Sequence, residues 1–376
     1  MPSSSSYVYA GVAWIRESTE GGVFRRAVDG GDWLKLTNGL PADTDVHAIT
    51  VHPSQPGTVY LGTKQGPFVS TDHGDHWKRM NFPFQGVQAW SILVHPLNPR
   101  RMYIGGAPVS VYRSDDAGET WRALPDPGMP GRIVMPFPCR VMRLAAHPLD
   151  ENVLYATVEV DGTMRSLDGG ETWEDTSADL LTMAERPQLT NHLRTTVKAE
   201  GMLDGHAIEV SSAAPDAVFM ACRMGLFRSD DCGKHWEDVE IGRFSPLTYG
   251  RDVRVSPMDP RVMYACLSPA SRSRDGSLYR SDDSGTNWRR FDHGVQAKAT
   301  MMAVALHPRD ADQVYCVSRV GHGVRDAGWR QDLGGVYVAG NVPGRVLFGG
   351  SLMEIWVRQS SDEVDGCWTS GPGKSH

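Results

Sequence analysis

Residues Ser70-Thr-Asp72-His-Gly74-Asp-His-Trp77 return as Ser114-Asp-Asp116-Ala-Gly118-Glu-Thr-Trp121 and as Ser166-Leu-Asp168-Gly-Gly170-Glu-Thr-Trp173. Two further copies follow, Ser229-Asp-Asp231-Cys-Gly233-Lys-His-Trp236 and Ser281-Asp-Asp283-Ser-Gly285-Thr-Asn-Trp288, with a shortened relative at Asp29 to Trp33. A pattern S-x-D-x-G-x-x-W describes a tight turn. The Ser and Asp side chains can accept from nearby backbone N–H groups, Gly supplies a positive φ, and Trp covers the hairpin with a large apolar face. One Asp per unit at one turn position marks scaffold chemistry rather than calcium ligation or acid catalysis, because repeat proteins place turn chemistry once per unit.

Upstream of each turn lies a second recurring element: Val46-HAITVHPSQPGTVYLGT, Ser91-ILVHPLNPRRMYIGG, Leu144-AAHPLDENVLYATV, Val253-RVSPMDPRVMYACL and Val304-ALHPRDADQVYCVS. Each reads as a strand, a turn and a second strand, with β-branched and aromatic residues in the runs and Pro where they stop. A strand before the Asp turn and a short one carrying the Trp complete four antiparallel strands per unit. Successive Trp residues of the repeated turn, from Trp33 to Trp288, are 44 to 63 positions apart, the size of a propeller blade. The expectation is an all-β, single seven-bladed β-propeller over residues 1–359. Five blades are centred on Trp77, Trp121, Trp173, Trp236 and Trp288, and Met301 to Phe348 forms a degenerate sixth. A seventh is built from three N-terminal strands and the C-terminal strand Leu352-MEIWVRQ, which closes the ring. Residues 360–376 read as a flexible tail.

Composition narrows the classes of function. The chain has 376 residues, 40% of them hydrophobic, and 38 Lys plus Arg against 45 Asp plus Glu for a net charge of −7. A net acidic chain has no global field for nucleic acid. The N-terminus lacks the charged and apolar segments of a secretion signal, and no run reaches eighteen apolar residues. A soluble, cytoplasmic protein with reduced cysteines is expected, with no membrane partner.

With these motifs the chain resembles the Asp-box (BNR) repeat propellers, a group that includes sialidases, xyloglucanases, sortilin ectodomains and photosystem II assembly factors. Its lead-in strands are more similar to the non-sialidase branch. That resemblance implies the fold, and activity in this group lives in sites grafted onto it. The Arg-bearing F-R-I-P opening of sialidases has no counterpart, so the resemblance transfers no sialic-acid arginine triad.

Strand order places the candidate site. Asp turns and Pro turns share one face; the starts of the innermost strands converge on the other, around the channel. Aligning Val51, Val94, Ala146, Val210, Val255, Leu306 and Val357 puts His47, Trp90, Met142, His206, Arg251, Met302 and Met353 four positions earlier, at one level. Arg140, Tyr249 and Glu354 are neighbours at that level, and facing loops add Arg16, Glu17, Lys64, Glu159, Asp161, Arg223, Arg319 and His322. The cations suggest an anionic ligand, with Arg140, Arg251, Trp90, Lys64, Arg223 and Arg319 as substrate-binding candidates. Arg140, Arg143, Arg251 and Arg254 are alternatively an ionic network between blades.

His47, His206, Glu159, Tyr249 and Glu354 are the candidates for acid, base or nucleophile. His47, His206 and His322 could hold a divalent Zn, Fe or Mn as three neutral imidazoles. An insertion at 176–204 breaks the period and is expected to be a lid over the channel mouth, and a shorter excursion, Pro125 to Cys139, delivers Arg140. Two functions follow as expectations. One is a hydrolase or lyase, glycosidase-superfamily-like, acting on a small anionic or sugar-acid molecule; the other is a non-catalytic propeller holding a protein partner or an acidic cofactor.

Overall fold

The computed structural model describes residues 6–13, 22–27, 31–42, 44–55, 57–130, 132, 137–189, 203–271, 273–292, 297, 299–306, 314–318, 336–338 and 351–359. Its strands form antiparallel sheets in which consecutive strands pair in chain order. Val46–Val51, Val59–Thr63, Gly66–Ser70 and Lys78–Arg79 make one such blade. The first strand of each sheet packs beside the first strand of the next around the ring.

The chain closes on itself as the repeat count requires. Ser351–Gln359 pairs antiparallel with Ser6–Ala13, opposite Gly22–Ala27 and Leu34–Leu36, so no open edge is left between the first and last sheets. The expectation of seven four-stranded blades is corrected by the sheet topology. Six blades are complete, not seven: Met301–Leu306, Val314–Ser318 and Val336–Val338 form a sheet of only three strands among the described residues. The S-x-D-x-G-x-x-W turn that precedes the fourth strand in five blades does not recur after Val338 in the sequence, and residues 339–350 lie outside the described residues.

The turn itself is built as its chemistry demands. In all five copies the Ser hydroxyl donates to the Asp Oδ1 at 2.8–2.9 Å. It also accepts the Gly amide at 2.7–2.9 Å. The Asp Oδ1 accepts the amide four residues on, from His76, Thr120, Thr172, His235 and Asn287. Two consecutive residues then take positive φ, for example Ala117 at 65° and Gly118 at 90°.

The apolar core lies between blades. One cluster joins Tyr9, Val23 and Leu36 to Val46, Ile49, Leu61, Phe68 and Trp77 of the next blade, and another joins Tyr103, Val111 and Leu124 to Val141, Leu144, Leu154 and Met164. Strands this flanked are buried on both faces, which is why Val59–Thr63 and Leu154–Val158 read as unbroken apolar runs. Among the described residues no helix is long and apolar enough to cross a membrane.

The described part of the insertion is a helix, Ala178–Ala184, followed by a 3-10 turn at Pro187–Leu189. Leu180, Met183 and Ala184 pack with Leu203, Met224 and Trp236, and the Asp179 carboxylate accepts the Trp236 amide at 3.0 Å. This part of the insertion expected as a lid at 176–204 therefore seats on the outer strand Glu237–Asp238 of the following blade; residues 190–202 lie outside the described residues.

Candidate functional site at the channel mouth

Near its start every innermost strand slips by one residue against its neighbour. The skipped residues are His47, Trp90, Met142, His206, Arg251 and Met302, and the register of Ser351–Gln359 skips Met353 in the same way. A β-bulge leaves one residue unpaired and re-aims its side chain, a device found beside active sites. Here it recurs around the ring and, on the six inner strands whose side chains are described, turns one residue into the channel. His47, Trp90, Met142, His206, Arg251 and Met302, with Arg143, line a single recess.

The space left between them is about 10 Å³, room for about one water-sized group. Trp90 explains part of that. His47 stacks on its ring at 3.8 Å between centroids and 14° between planes, and the Arg140 guanidinium lies 4.0 Å from the ring centre. Two groups that close occupy opposite faces, so Trp90 offers a ligand its edge rather than a stacking platform.

His47 is 4% exposed. Burial, reinforced by Arg140 and Lys64, lowers its pKa to about 3, so the ring is neutral. The Arg140 guanidinium makes a two-point ion pair with Glu159, whose amide donates to the Arg140 carbonyl at 3.0 Å. Burial raises the Glu159 carboxyl and Arg140 pulls it back.

On the opposite side of the mouth His206 anchors a polar chain. Its Nδ1 donates to the Gly250 carbonyl at 2.7 Å, so Nε2 of the neutral ring is an acceptor. The Tyr249 hydroxyl donates to that Nε2 at 3.2 Å, and the Asp204 carboxylate lies at the same distance from it. Arg223 Nε donates to Asp204 at 2.9 Å. Burial lowers the His206 pKa and Arg251 adds to it. Burial works to raise the Asp204 carboxyl, but the guanidinium groups of Arg223 and Arg251 hold it well below the usual range.

Below the ring the remaining arginines are matched by carboxylates. Arg143 lies 3.8 Å from Asp252, and Arg254 lies 3.4 Å from Asp252 and 3.6 Å from Glu209. Asp252 also accepts the Val304 amide across the blade boundary at 3.0 Å. Burial pushes Glu209 up to about 7, against the pull of Arg254 and Arg143. Arg143 and Arg254 thus belong to an interblade network, the alternative weighed from the sequence.

The structure therefore brings together His47, Trp90, Arg140, Glu159, Tyr249, His206, Arg223 and Arg251. Lys64 stands exposed at the mouth. His322, Arg319, Arg16 and Glu17 lie outside the described residues, as does the side chain of Glu354. Both nitrogens of His206 are engaged and His47 lies flat against Trp90, so a divalent metal on this pair would displace the Tyr249 and Asp204 contacts, and the third expected ligand, His322, lies outside the described residues. Sequence reasoning missed Asp204, although a signal was present: Asp204-Gly-His206-Ala-Ile repeats Asp45-Val-His47-Ala-Ile. In the first copy the carboxylate stands off, with Asp45 at 4.0 Å from His47.

Comparison with known proteins agrees with this architecture. The BNR-Asp box repeat model matches residues 226–239, one of the five turns. The chain is a β-propeller that carries Asp-box repeats. Its fold is similar to the crystal structure of a GH74 xyloglucanase from Xanthomonas campestris, with TM-score 0.57, 17% identity, and coverage of 84% of this propeller and 49% of that chain. In sequence it is 27% identical to a xyloglucanase of a Paenibacillus species over 72% of this chain and 29% of the relative. It is 24% identical to vacuolar protein sorting/targeting protein 10 of Uncinocarpus reesii over 61% of this chain and 15% of the relative. The propeller thus spans under a third of the length of these curated relatives, which include both glycoside hydrolases and a sorting protein.

Proposed function

We propose that the propeller takes a small carboxylate-bearing ligand of sugar-acid type at the channel mouth and transfers a proton on it through Tyr249 and His206, acting as a lyase or hydrolase. The observation that carries this reading is the Tyr249–His206–Asp204–Arg223 chain beside Arg251. A neutral imidazole with an acceptor nitrogen facing a phenol is a proton-handling pair. Arg251, half-buried in the same recess, supplies the charge that a carboxylate needs for a two-point contact. Carbohydrate-acting relatives are in keeping with a sugar-derived ligand.

One observation favours a second reading, a non-catalytic platform for a protein partner: the water-sized space inside the ring. Calorimetric titration of the full chain with galacturonate, glucuronate and short oligouronides separates the two, with ultraviolet absorbance reporting any unsaturated product. The expected result is binding that Arg251→Met abolishes and Tyr249→Phe retains, with turnover lost in both. Absence of heat with every sugar acid at millimolar concentration overturns the proposal and leaves the platform reading.

A further inference from the structure

A second cluster lies on the opposite face, where the Pro turns meet the Asp-box turns. His147 ends an innermost strand, while Asp216 and Cys232 belong to the next blade. Cys232 Sγ is 3.3 Å from Asp216 Oδ1, and His147 Nε2 is 3.8 Å from the same oxygen. The three ligand atoms all fall within 4.8 Å of one another. Tetrahedral zinc, with bonds of about 2.0–2.3 Å, sets its ligand atoms roughly 3.3–3.8 Å apart, and both distances to Asp216 already fall in that range.

Two features set this junction apart from its repeats. His147 Nδ1 accepts the amides of Leu149 and Asp150 at 3.1 Å each, which fixes the ring and leaves Nε2 directed at the next blade. His52 and His95 are held in the same manner by Nδ1. The turns of the blades that follow them, however, carry Ala117 on the Arg100 carbonyl and Gly169 on the Asn152 carbonyl, where this one carries Cys232 on that of Asp216. Only here do the paired positions hold a thiol and a carboxylate.

The second feature is Tyr155. At equivalent points the Tyr9 and Tyr103 hydroxyls donate to the carbonyls of His73 and Gly169, the left-handed residues of the next turn. The Tyr155 side chain is buried, and its hydroxyl finds no such acceptor; it lies within reach of the Cys232 sulfur instead. A thiolate on a metal is the strong acceptor that this buried hydroxyl lacks, and such contacts orient the ligand.

We propose that His147, Asp216 and Cys232 form a zinc-type metal site, one ligand from one blade and two from the next, that clips adjacent blades together on the face opposite the channel mouth. A borderline thiolate, imidazole and carboxylate set with a fourth position left to water suits Zn²⁺ or Co²⁺ over Mg²⁺ or Ca²⁺. The site is independent of the mouth and of any activity there.

The test uses the full chain stripped with chelator and titrated with Co²⁺, then Zn²⁺. One equivalent is expected to bind with a thiolate-to-cobalt charge-transfer band that Zn²⁺ displaces. Cys232→Ser should abolish the band, exposed Asp216→Asn should weaken affinity by at least about tenfold, and Tyr155→Phe should weaken it by roughly tenfold. His52→Gln and His47→Gln should leave binding unchanged. The melting temperature should rise with Zn²⁺ in the parent chain and not in Asp216→Asn. No band, or a band that survives Cys232→Ser, overturns the assignment.

Discussion

Replacing His47 with Gln tests whether the stack at the mouth is built around a neutral imidazole. In the folded chain burial, with Arg140 and Lys64, lowers this histidine from 6.5 to about 3, whereas the unfolded chain titrates near the ordinary value. Below about pH 6.5 the unfolded state therefore binds a proton that the folded state refuses, and stability falls as pH falls until the folded pKa is reached. The limiting slope is about 1.4 kcal/mol per pH unit. From about pH 8 down to about pH 5 the folded chain should lose about 2 kcal/mol on account of His47 alone. Gln cannot titrate, so that component vanishes in the variant. Urea unfolding followed by Trp fluorescence at the two pH values gives a double difference in which His206, His95 and every other group cancel. A double difference below about 0.5 kcal/mol, the usual scatter of additivity, refutes the reasoning. Arg140→Met supplies the internal control, because removal of the second-ranked cause should move the His47 titration upward by NMR without restoring it fully.

Two further outcomes test the scaffold. Hydrogen bonds from Thr120, side chain and amide, and from Ser114 hold the Asp116 carboxyl at about 2, below the ordinary value of about 3.9; its contribution exists above that ordinary value and disappears as pH falls toward about 2. Asp116→Asn should therefore lower the urea midpoint at neutral pH and converge on the parent chain in strong acid. Gly105→Ala would set a Cβ 2.7 and 2.8 Å from the Val141 side chain of the next blade, costing about 1–3 kcal/mol of overpacking. Adding Val141→Ala removes the Cγ1 contact but leaves Cβ at 2.8 Å, so unfolding midpoints should recover only in part, and a neutral Gly105→Ala would show that the blades slide apart freely.

The parts of this molecule that were legible in the sequence are those fixed once per repeat. Five copies of one turn set the strand direction, the face on which each loop lies and the level of the bulges, because a register repeated on every blade aligns His47, Trp90, Met142, His206, Arg251 and Met302 whatever their chemistry. The count of complete blades failed where the repeat itself lapses, after Val338. Partners across blade boundaries were illegible for a different reason. Arg140 with Glu159 spans two strands of one blade, but Arg143 with Asp252 reaches past a whole blade, and no local spacing encodes a contact made through the channel.

That distinction bears on what the mouth can bind. Read residue by residue, the ring gathers basic groups and points to an anion; paired, three of its cations are committed to Glu159, Asp204 and Asp252. A guanidinium ion-paired with a carboxylate presents little net charge to a ligand, and parting the two would leave one of them buried and uncompensated, a cost of several kcal/mol. Under the proposed reading an anion meets Arg251, which lines the recess and itself acts on Asp204, so the ligand would enter the same network rather than stand apart from it. The Tyr249–His206 pair already directs its protons at Nε2 and the Gly250 carbonyl, so its part in the proposal is proton transfer rather than anion binding, and Arg251→Met and Tyr249→Phe therefore separate loss of binding from loss of turnover.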